Sequence, residues 1–380
     1  MIPNQNIYLD NAATTPLDPE VLEVMTRSYR TLFGNPSSIH SHGRKAKAAL
    51  EKARRQVAQI IHASPGEIYF TSGGTEANNT ALLGAVRDLD VQNIITTRLE
   101  HPSVLNMLNY IQSQYPSVGI HWAETDALGA PSYSHLEDLL HQYGEGKTLV
   151  SMMHANNETG TLTDIHRIGE LCDSYGAFFH CDTVQTMGFY PIDVSKDKIH
   201  FSGASAHKFY GPKGIGFLYM SNASIVHPLM YGGGQERGMR SSTENVAGAM
   251  ALAFALQKME RERERRRAHI TALRQHLIRS LRRHLPSCRI LHDDTTNCHY
   301  KIANIALPPT SKAELAVINL DIAGISVSGG SACSSGVEKV SHVIDILDPE
   351  EERKHIRISF SHHNTTDEID RFIEEISRVL

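Results

Sequence analysis

One lysine stands in a stretch whose composition suits a reactive amine better than a surface charge. The stretch Phe201–Met220 reads FSGASAHKFYGPKGIGFLYM and places Lys208 between an imidazole and an aromatic ring. The small residues and the Gly-Pro pair around it predict a tight turn that holds a site. Most lysines are exposed charges. A partly desolvated lysine, however, is the amine that forms a Schiff base with an aldehyde, and the neighbours of Lys208 favour that role.

Other polar residues follow predicted strands, where ligands of an open α/β sheet bind. The stretch FFHCDTVQ ends a strand in Asp182, with Gln185 three residues later. A carboxylate there is a metal ligand, a helix cap or the partner of a cation. In RLEHPSVL, His101 comes between a strand and a helix start, so its ring either stacks on a planar ligand or lies on the surface beside a cap.

Two further segments are compatible with a ligand site but do not require one. The stretch FTSGGTEANNTALL predicts a strand, a glycine turn and a helix, so Gly74 and the hydroxyl of Thr75 stand where a helix N-terminus favours an anion. It matches neither a Walker loop nor G-x-G-x-x-G, and an ordinary βα turn explains it equally. The asparagine pair of HANNETG, which includes Asn157, is also typical of a turn.

Together these pieces fit one cofactor better than any piece does alone. Pyridoxal phosphate needs an amine for its aldehyde, a carboxylate for its pyridine nitrogen, a flat partner for its ring and a cup for its phosphate. Lys208, Asp182, His101 and the pair Gly74–Thr75 offer one of each, in the order of successive strand ends. The sequence therefore predicts a pyridoxal-phosphate site.

A second reactive group is predicted in SVSGGSACSSGVEKV. Cys333 is surrounded there by serine and glycine, whereas a structural cysteine usually lies among apolar neighbours. The stretch predicts either a reactive thiol or an ordinary exposed thiol on a loop, and the neighbouring site favours the nucleophile. Alternation along the strand turns Cys181 away from the face that carries Asp182.

Composition and element order predict an α/β enzyme. The chain has 380 residues, 41% hydrophobic and 21% charged, with a net charge of −5, which does not indicate nucleic-acid binding. Its longest apolar run is too short for a membrane span, and its start lacks a secretory pattern, so we expect a cytoplasmic protein. Five cysteines without C-x-x-C spacing predict free thiols and no metal site. Strands are predicted at 67–72, 93–97, 148–154, 177–182, 198–203 and 214–220, with helices at 44–61, 77–86 and 165–175.

This alternation predicts a mostly parallel sheet with helices on both faces. From Glu244 a long helical pattern runs into an Arg/Glu-rich stretch with apolar residues at Ile270, Leu273, Leu277 and Leu281. Its mixed charges favour a solvated helix face over an RNA-binding arm. We expect residues 14–257 to form a large domain, and residues 1–13 with 258–380 to form a smaller α/β domain.

The whole chain resembles the cysteine desulfurases of the NifS/IscS type, within the class V aminotransferase group. The stretches that carry the resemblance are YLDNAATTP, FGNPSSIH, FTSGGTEANN, HANNETG, HCDTVQ, SAHKFYGPKG, GGGQERGMRSSTENVAG and SGGSACSSG. The resemblance implies fold type I of the pyridoxal-phosphate enzymes, with a seven-stranded sheet in the large domain. It also implies conversion of L-cysteine to L-alanine, with transfer of the sulfur as a persulfide on Cys333. The acceptor implied is an iron–sulfur scaffold or another sulfur carrier.

The resemblance also implies roles for individual residues. Lys208 binds the cofactor's aldehyde, Asp182 pairs with its pyridine nitrogen and Gln185 bonds its phenolic oxygen. His101 stacks on the ring and moves protons. The remaining implied roles are phosphate binding by Gly74, Thr75, Ser205 and His207, contact with ring oxygen and substrate by Asn157, anchoring of the substrate carboxylate by Arg357, and contact of Thr243 with the phosphate of a neighbouring subunit, hence a homodimer.

Three alternatives stay open from the sequence. An aminotransferase or a selenocysteine lyase could use the same fold, because a fold alone does not determine an activity. Cys333 on its Ser/Gly loop argues against an ordinary aminotransferase. A non-enzymatic metal-binding protein is the third alternative because the chain has 22 histidines, but metal-ligand spacing is missing.

Overall fold

The computed structural model describes residues 6–144, 147–293, 296–329, 341–348 and 353–380. Its strands are β1 (Ile7–Tyr8), β2 (Ile68–Thr71), β3 (Asn93–Thr96), β4 (Gly119–Trp122), β5 (Thr148–Met153), β6 (Phe178–Asp182), β7 (Phe201–Ser205), β8 (Gly216–Met220), β9 (Arg289–Ile290), β10 (Ile302–Ala306), β11 (Ile325–Ser326), β12 (Ser328–Gly329) and β13 (His355–Ser359). Its α-helices are α1 (Pro19–Thr31), α2 (Ser41–Ile60), α3 (Gly74–Asp88), α4 (Pro102–Gln114), α5 (Tyr133–Tyr143), α6 (Ile165–Ser174), α7 (Val246–His284), α8 (Ala316–Ile322), α9 (His342–Leu347) and α10 (Thr366–Val379).

A seven-stranded sheet in the order β2-β8-β7-β6-β5-β3-β4 forms the centre of the fold. The strands from β7 through β4 pair in parallel, and β8 runs antiparallel to both of its neighbours. The predicted mostly parallel seven-stranded sheet is therefore confirmed. Its parallel strands end at one edge, where the polar residues that follow β3, β5, β6 and β7 are brought together.

The six predicted strands are all present, and their boundaries differ from the predicted ones by up to three residues. Strand β7 begins at Phe201 rather than 198, because Lys198 adopts a positive φ of 52° in the turn before it. Strand β4 was not predicted. It is an edge strand whose four residues are all half-buried, so it lacks the continuous apolar run of the central strands.

Helix α7 connects the central sheet to a four-stranded sheet of order β12-β13-β10-β9. The helix begins at Val246, two residues after the predicted start at Glu244. Asn245 caps its first turn by accepting the Gly248 N–H. The helix continues without a break past residue 257, so the division at 257/258 stays a prediction. The four predicted apolar positions Ile270, Leu273, Leu277 and Leu281 are buried in the main core.

The interpretation of the Arg/Glu stretch as a solvated face is wrong for two arginines. Arg266 is 2% exposed, and its guanidinium binds Glu262 and lies 5.0 Å from the centroid of the Tyr210 ring. Arg274 is fully buried and donates to the carbonyl of Ile302 at the start of β10. These two side chains satisfy buried polar groups between the sheets, which charge periodicity along the helix does not reveal.

Candidate functional site

Lys208 lies in a turn that directly follows β7. Residues Ala206–Lys208 form one turn of 3-10 helix, and Tyr210 adopts a positive φ of 66°. The Gly211 N–H closes the turn on the Ala206 carbonyl at 2.8 Å. The predicted tight turn is present, and it points the amine of Lys208 at the backbone that precedes α1. There Lys208 Nζ donates to the carbonyl of Ala12 at 2.8 Å.

Asp182 and Gln185 follow the neighbouring strand β6. The Asp182 carboxylate is 6% exposed and accepts the Val184 N–H at 2.9 Å. Gln185 Nε2 donates to the Ala12 carbonyl at 3.0 Å, the same oxygen that Lys208 contacts. Gln185 Oε1 is buried and has no hydrogen-bond partner among the described residues. Amine, amide and carboxylate therefore converge at one edge of the sheet.

A buried chain of hydrogen bonds behind Asp182 was missed by the sequence analysis. Asn78 on α3 donates to Asp182 Oδ2 at 2.7 Å, and its own Oδ1 lies 3.2 Å from His180 Nε2. His180 Nδ1 lies 2.8 Å from the Ser151 hydroxyl on β5, and burial lowers the pKa of His180 to about 4. One signal could have identified Asn78, because it is four residues after Gly74 and therefore shares its helix face.

His101 caps the N-terminus of α4. Its Nδ1 accepts the Ser103 N–H at 3.1 Å and lies 2.8 Å from the Ser103 hydroxyl. Burial lowers the pKa of the His101 ring; Asp182 opposes this shift, and Lys208 and His342 add to it. His101 is thus the cap itself through Nδ1, and its half-buried ring is subject to the charge of Asp182. Its contact with a planar ligand stays a prediction.

Glu100, which the sequence analysis also missed, is 1% exposed behind His101. Its Oε1 accepts the Met153 N–H at 3.0 Å, and Oε2 has no partner in the described ranges. Burial, together with the charge of Asp182, raises the pKa of Glu100 to about 8. A carboxyl that keeps its proton near neutrality therefore lies next to the candidate site.

The residues predicted to bind a phosphate lie at and near the start of α3. Gly74 opens the helix, and its N–H donates to the Ser205 hydroxyl at 2.7 Å. Thr75 is exposed in the same first turn. His207 Nδ1 lies 3.1 Å from the Thr14 hydroxyl, and burial lowers the pKa of His207 to about 4. Gly74 and Thr75 thus lie at the start of α3, and Ser205 lies at the end of β7. The N-terminus of a helix offers backbone N–H groups that favour an anion.

Arg357 on β13 reaches the same edge from the smaller sheet. It is 3% exposed, and it donates through Nη2 to Asp10 Oδ1 at 2.8 Å and to the Ser328 hydroxyl at 3.0 Å. Its Nη1 donates to the backbone carbonyl of Asn157 at 2.8 Å, and its Nε has no partner among the described residues. The two predicted substrate residues, Asn157 and Arg357, are therefore in contact.

The structure leaves the prediction for one residue untested and places another apart from this group. Cys333 lies outside the described residues. Thr243 is exposed before α7, where it borders a cleft with Ser72 and Gly214.

Burial weakens other thiols as nucleophiles. It raises the pKa of Cys172 and of Cys181 far above the usual value, and that of the half-buried Cys288 to about 11. Cys181 is fully buried.

Metal clusters and membrane-spanning helices are both missing from the described ranges. No group of three or more His, Cys, Asp or Glu side chains there is arranged to hold a metal ion. Among the helices in those ranges, none has both the length and the apolar character that a bilayer span requires.

Comparison of the sequence with known proteins gave matches over nearly its whole length. Residues 7–372 match the family described as aminotransferase class-V. The chain is 35% identical to cysteine desulfurase IscS of Dictyoglomus turgidum, covering 99% of this chain and 95% of that protein. It is 37% identical to cysteine desulfurase NifS of Azotobacter vinelandii, covering 99% and 92%.

Solved structures of similar proteins share the fold. A NifS-like protein superimposes with a TM-score of 0.89 at 33% identity, covering 99% of both chains. A NifS-like protein of Rickettsia africae superimposes with a TM-score of 0.88 at 34% identity, again over 99% of each chain.

Proposed function

We propose that this chain takes sulfur from L-cysteine through Lys208 and Cys333. The chain belongs to the class-V aminotransferase family and is a pyridoxal-phosphate-dependent cysteine desulfurase of fold type I. The products are L-alanine and a persulfide on Cys333. The observation that carries these roles is the contact of Lys208 and Gln185 with one carbonyl oxygen, at the strand edge that also holds Asp182. An aldehyde-bearing pyridine ring needs this combination of amine, amide and carboxylate.

The described residues fit pyridoxal phosphate at both of its ends. Gln185 Oε1 is buried without a partner, and a polar atom of a ligand would satisfy it. At the phosphate end, the Gly74 N–H donates to the Ser205 hydroxyl, which joins the start of α3 to the end of β7. A Cβ on Gly74 would lie 2.4 Å from Val184 Cγ2, so any larger residue there would force Val184 to move. When bound, the cofactor supplies a carbonyl that Lys208 holds covalently and a ring that stores electrons from the substrate's α-carbon.

Asp182 and His101 complete the site around the ring. Asp182 supplies the negative charge that a protonated pyridine nitrogen requires, and Asn78 and Val184 fix its carboxylate with hydrogen bonds. Because His101 Nδ1 accepts the Ser103 N–H, the proton of the neutral ring is on Nε2. His101 therefore offers a flat face and one N–H donor, while Lys208 moves the proton at the substrate's α-carbon.

The sulfur step balances without an added oxidant. The thiolate of Cys333 attacks the sulfur of the substrate, a sulfur–sulfur bond forms and the carbon–sulfur bond breaks. The electron pair of the broken bond and one proton end in a C–H bond of alanine. One thiol and one cysteine thus give one persulfide and one alanine. The other thiols with raised pKa values are poorer nucleophiles, because the thiolate is the reactive form.

Arg357 anchors the substrate carboxylate in this proposal. Its Nε is buried and without a partner in the described part of the chain, so one N–H of the guanidinium is available. The carboxylate of Asp10 already accepts from Nη2 at 2.8 Å. Substrate binding therefore adds a second carboxylate to an arginine that Asp10 holds in place, and Asp10 limits how the guanidinium can turn.

Assembly and sulfur acceptor extend the proposal. Large apolar side chains of Phe33, Ile39 and Tyr231 are 71%, 91% and 75% exposed, which supports a homodimer that covers them. In that dimer Thr243 of each subunit completes the phosphate site of the other. We infer that the persulfide serves iron–sulfur cluster assembly or related sulfur transfer. A cytoplasmic location is supported by free Cys172, Cys181, Cys288 and Cys298.

The test replaces the thiol and measures both products. Cys333→Ala is expected to keep the visible absorption of the bound cofactor but to release neither sulfide nor alanine from L-cysteine. Cys288→Ala is the matched control and should keep the parent rate. Unchanged turnover in Cys333→Ala refutes the thiol role. Formation of a keto acid from cysteine would instead indicate an aminotransferase, and a rate confined to selenocysteine would indicate a selenocysteine lyase.

A further inference from the structure

Lys301 is a buried lysine that the proposed function does not use. It directly precedes β10 and is fully buried. Its N–H donates to His299 Nδ1 at 3.2 Å, and its carbonyl accepts the Phe360 N–H at 2.8 Å. Its Nζ lies 4.0 Å from the centroid of the Phe189 ring and has no hydrogen-bond partner among the described residues. The backbone therefore holds this amine in an apolar place, and it needs an explanation.

Hydrogen bonds connect the neighbourhood of Lys301 to Gln185 and Asn11, which form the base of the candidate site. The ring of His299 that accepts from Lys301 has its Nε2 2.9 Å from the Gln185 carbonyl. On the other side, Asn11 donates to the carbonyl of Ser359, at the end of the strand next to β10. Asn11 Oδ1 and Gln185 Oε1 are buried and, like Lys301 Nζ, without a partner in the described ranges. One buried donor nitrogen, on Lys301, and two buried acceptor oxygens, on Asn11 and Gln185, therefore lack hydrogen bonds within the described ranges.

The charges that act on Lys301 are positive. Burial lowers its pKa well below the usual value, and the charges of Lys208 and Arg357 lower it further. Burial lowers the pKa of the His299 and His207 rings, and the charge of Lys301 lowers both further. An amine in this place therefore binds a proton more weakly as long as Lys208 carries an ammonium group.

Coupling between two amines is reciprocal, so a change at Lys208 changes the protonation of Lys301. Covalent attachment of the cofactor removes the ammonium of Lys208, and the phosphate adds negative charge to the site. Both changes favour a proton on Lys301. The face of the Phe189 ring favours the charged form as well.

We propose that Lys301 is a positioning residue that acts on Lys208 through its charge: uncharged beside the free ammonium, it takes up a proton when the cofactor occupies the site. The positive charge then stabilises the bound anion and disfavours a proton on the nitrogen that joins Lys208 to the cofactor. This inference rests on the proposed role of Lys208. It does not require Lys301 to touch the substrate.

The test follows the visible absorption of the holoenzyme against pH in the parent and in Lys301→Met. The titration midpoint reports the proton on the nitrogen that joins Lys208 to the cofactor. Methionine keeps an unbranched side chain but carries no charge, so the midpoint should rise by about one pH unit, the size of one charge–charge interaction in a protein site. Lys301→Arg keeps the charge and should titrate like the parent. Lys147→Met is the control, because Lys147 is exposed and its ammonium pairs with Asp90 rather than with a residue of the candidate site.

Equal midpoints in the parent and Lys301→Met overturn the inference. If Lys301→Met does not fold, calorimetry of cofactor binding in two buffers of different ionisation enthalpy counts the protons taken up. The parent should then take up more protons than Lys301→Arg, and equal counts refute the proposal. Borohydride reduction and mass spectrometry of the same samples keep the two hypotheses apart. An adduct away from Lys208 refutes the proposed function, whereas an adduct on Lys208 with unchanged midpoints refutes only the role of Lys301.

Discussion

Replacement of Glu100 by glutamine should stabilise the protein relative to the parent, and this difference should grow as the pH rises. The carboxyl of Glu100 is 1% exposed, and burial raises its pKa from 4.5 to about 8. Between these values the folded protein binds more protons at Glu100 than the unfolded chain does. The free energy of unfolding therefore falls as the pH rises through this window. Glutamine has the shape of the protonated acid and cannot ionise, so Glu100→Gln escapes this loss.

The size of the effect follows from the shift. Each pKa unit corresponds to about 1.4 kcal/mol, so at pH 7 the ionisation of Glu100 in the unfolded chain costs about 3 kcal/mol of stability. Relative to the parent, the variant should gain this amount between about pH 4.5 and pH 7. The neutral acid keeps the hydrogen bond from Met153, which the glutamine oxygen also accepts.

The assay is denaturant unfolding from pH 5 to pH 8 at fixed protein and cofactor concentrations. The midpoint of Glu100→Gln should move upward relative to the parent as the pH rises. Glu137→Gln is the control, because Glu137 is exposed on α5 and the difference from the parent should stay flat. An infrared difference spectrum should also show a protonated carboxyl in the parent at pH 6 that the variant lacks. Parallel pH curves, or no such band, would refute a buried neutral Glu100.

Two further changes test the two ends of the candidate site. Gly74→Ala places a Cβ 2.4 Å from Val184, so cofactor affinity in a fluorescence titration should fall. Gly234→Ala is the control, because a Cβ there has nothing within 4 Å and should leave the affinity unchanged. Equal affinities of the two variants refute phosphate binding at Gly74. Arg357→Lys loses the guanidinium fork, so KM for L-cysteine should rise about tenfold or more in a sulfide-release assay, and an unchanged KM refutes the anchor.

Much of the site could be predicted because its chemistry follows the ends of strands. Lys208 follows β7, and Asp182 ends β6, as their positions after apolar runs predict. Parallel strands bring such residues to one edge whatever the length of chain between them. The edge strand β4 could not be predicted in this way, since its half-buried residues lack an apolar pattern.

The states of buried groups could not be predicted at all. Glu100 and Lys301 look in the sequence like ordinary charged residues, yet burial raises the pKa of one and lowers that of the other. Arg266 belongs to a stretch whose alternating charges indicate a solvated face, and it is 2% exposed. Desolvation depends on all atoms that pack around a group, and those atoms come from distant segments.

The sequence by itself determined the reactive residue types, the strand ends that carry them and the turn at Lys208, because these depend on neighbours a few residues away. Only the tertiary structure decided which groups are charged and which are held by others. It joins Arg357 to Asp10 across nearly the whole chain and sets Lys301 near Lys208, in a place that no local pattern indicates. The physical reason is that burial and charge coupling depend on distance in space rather than on separation along the chain.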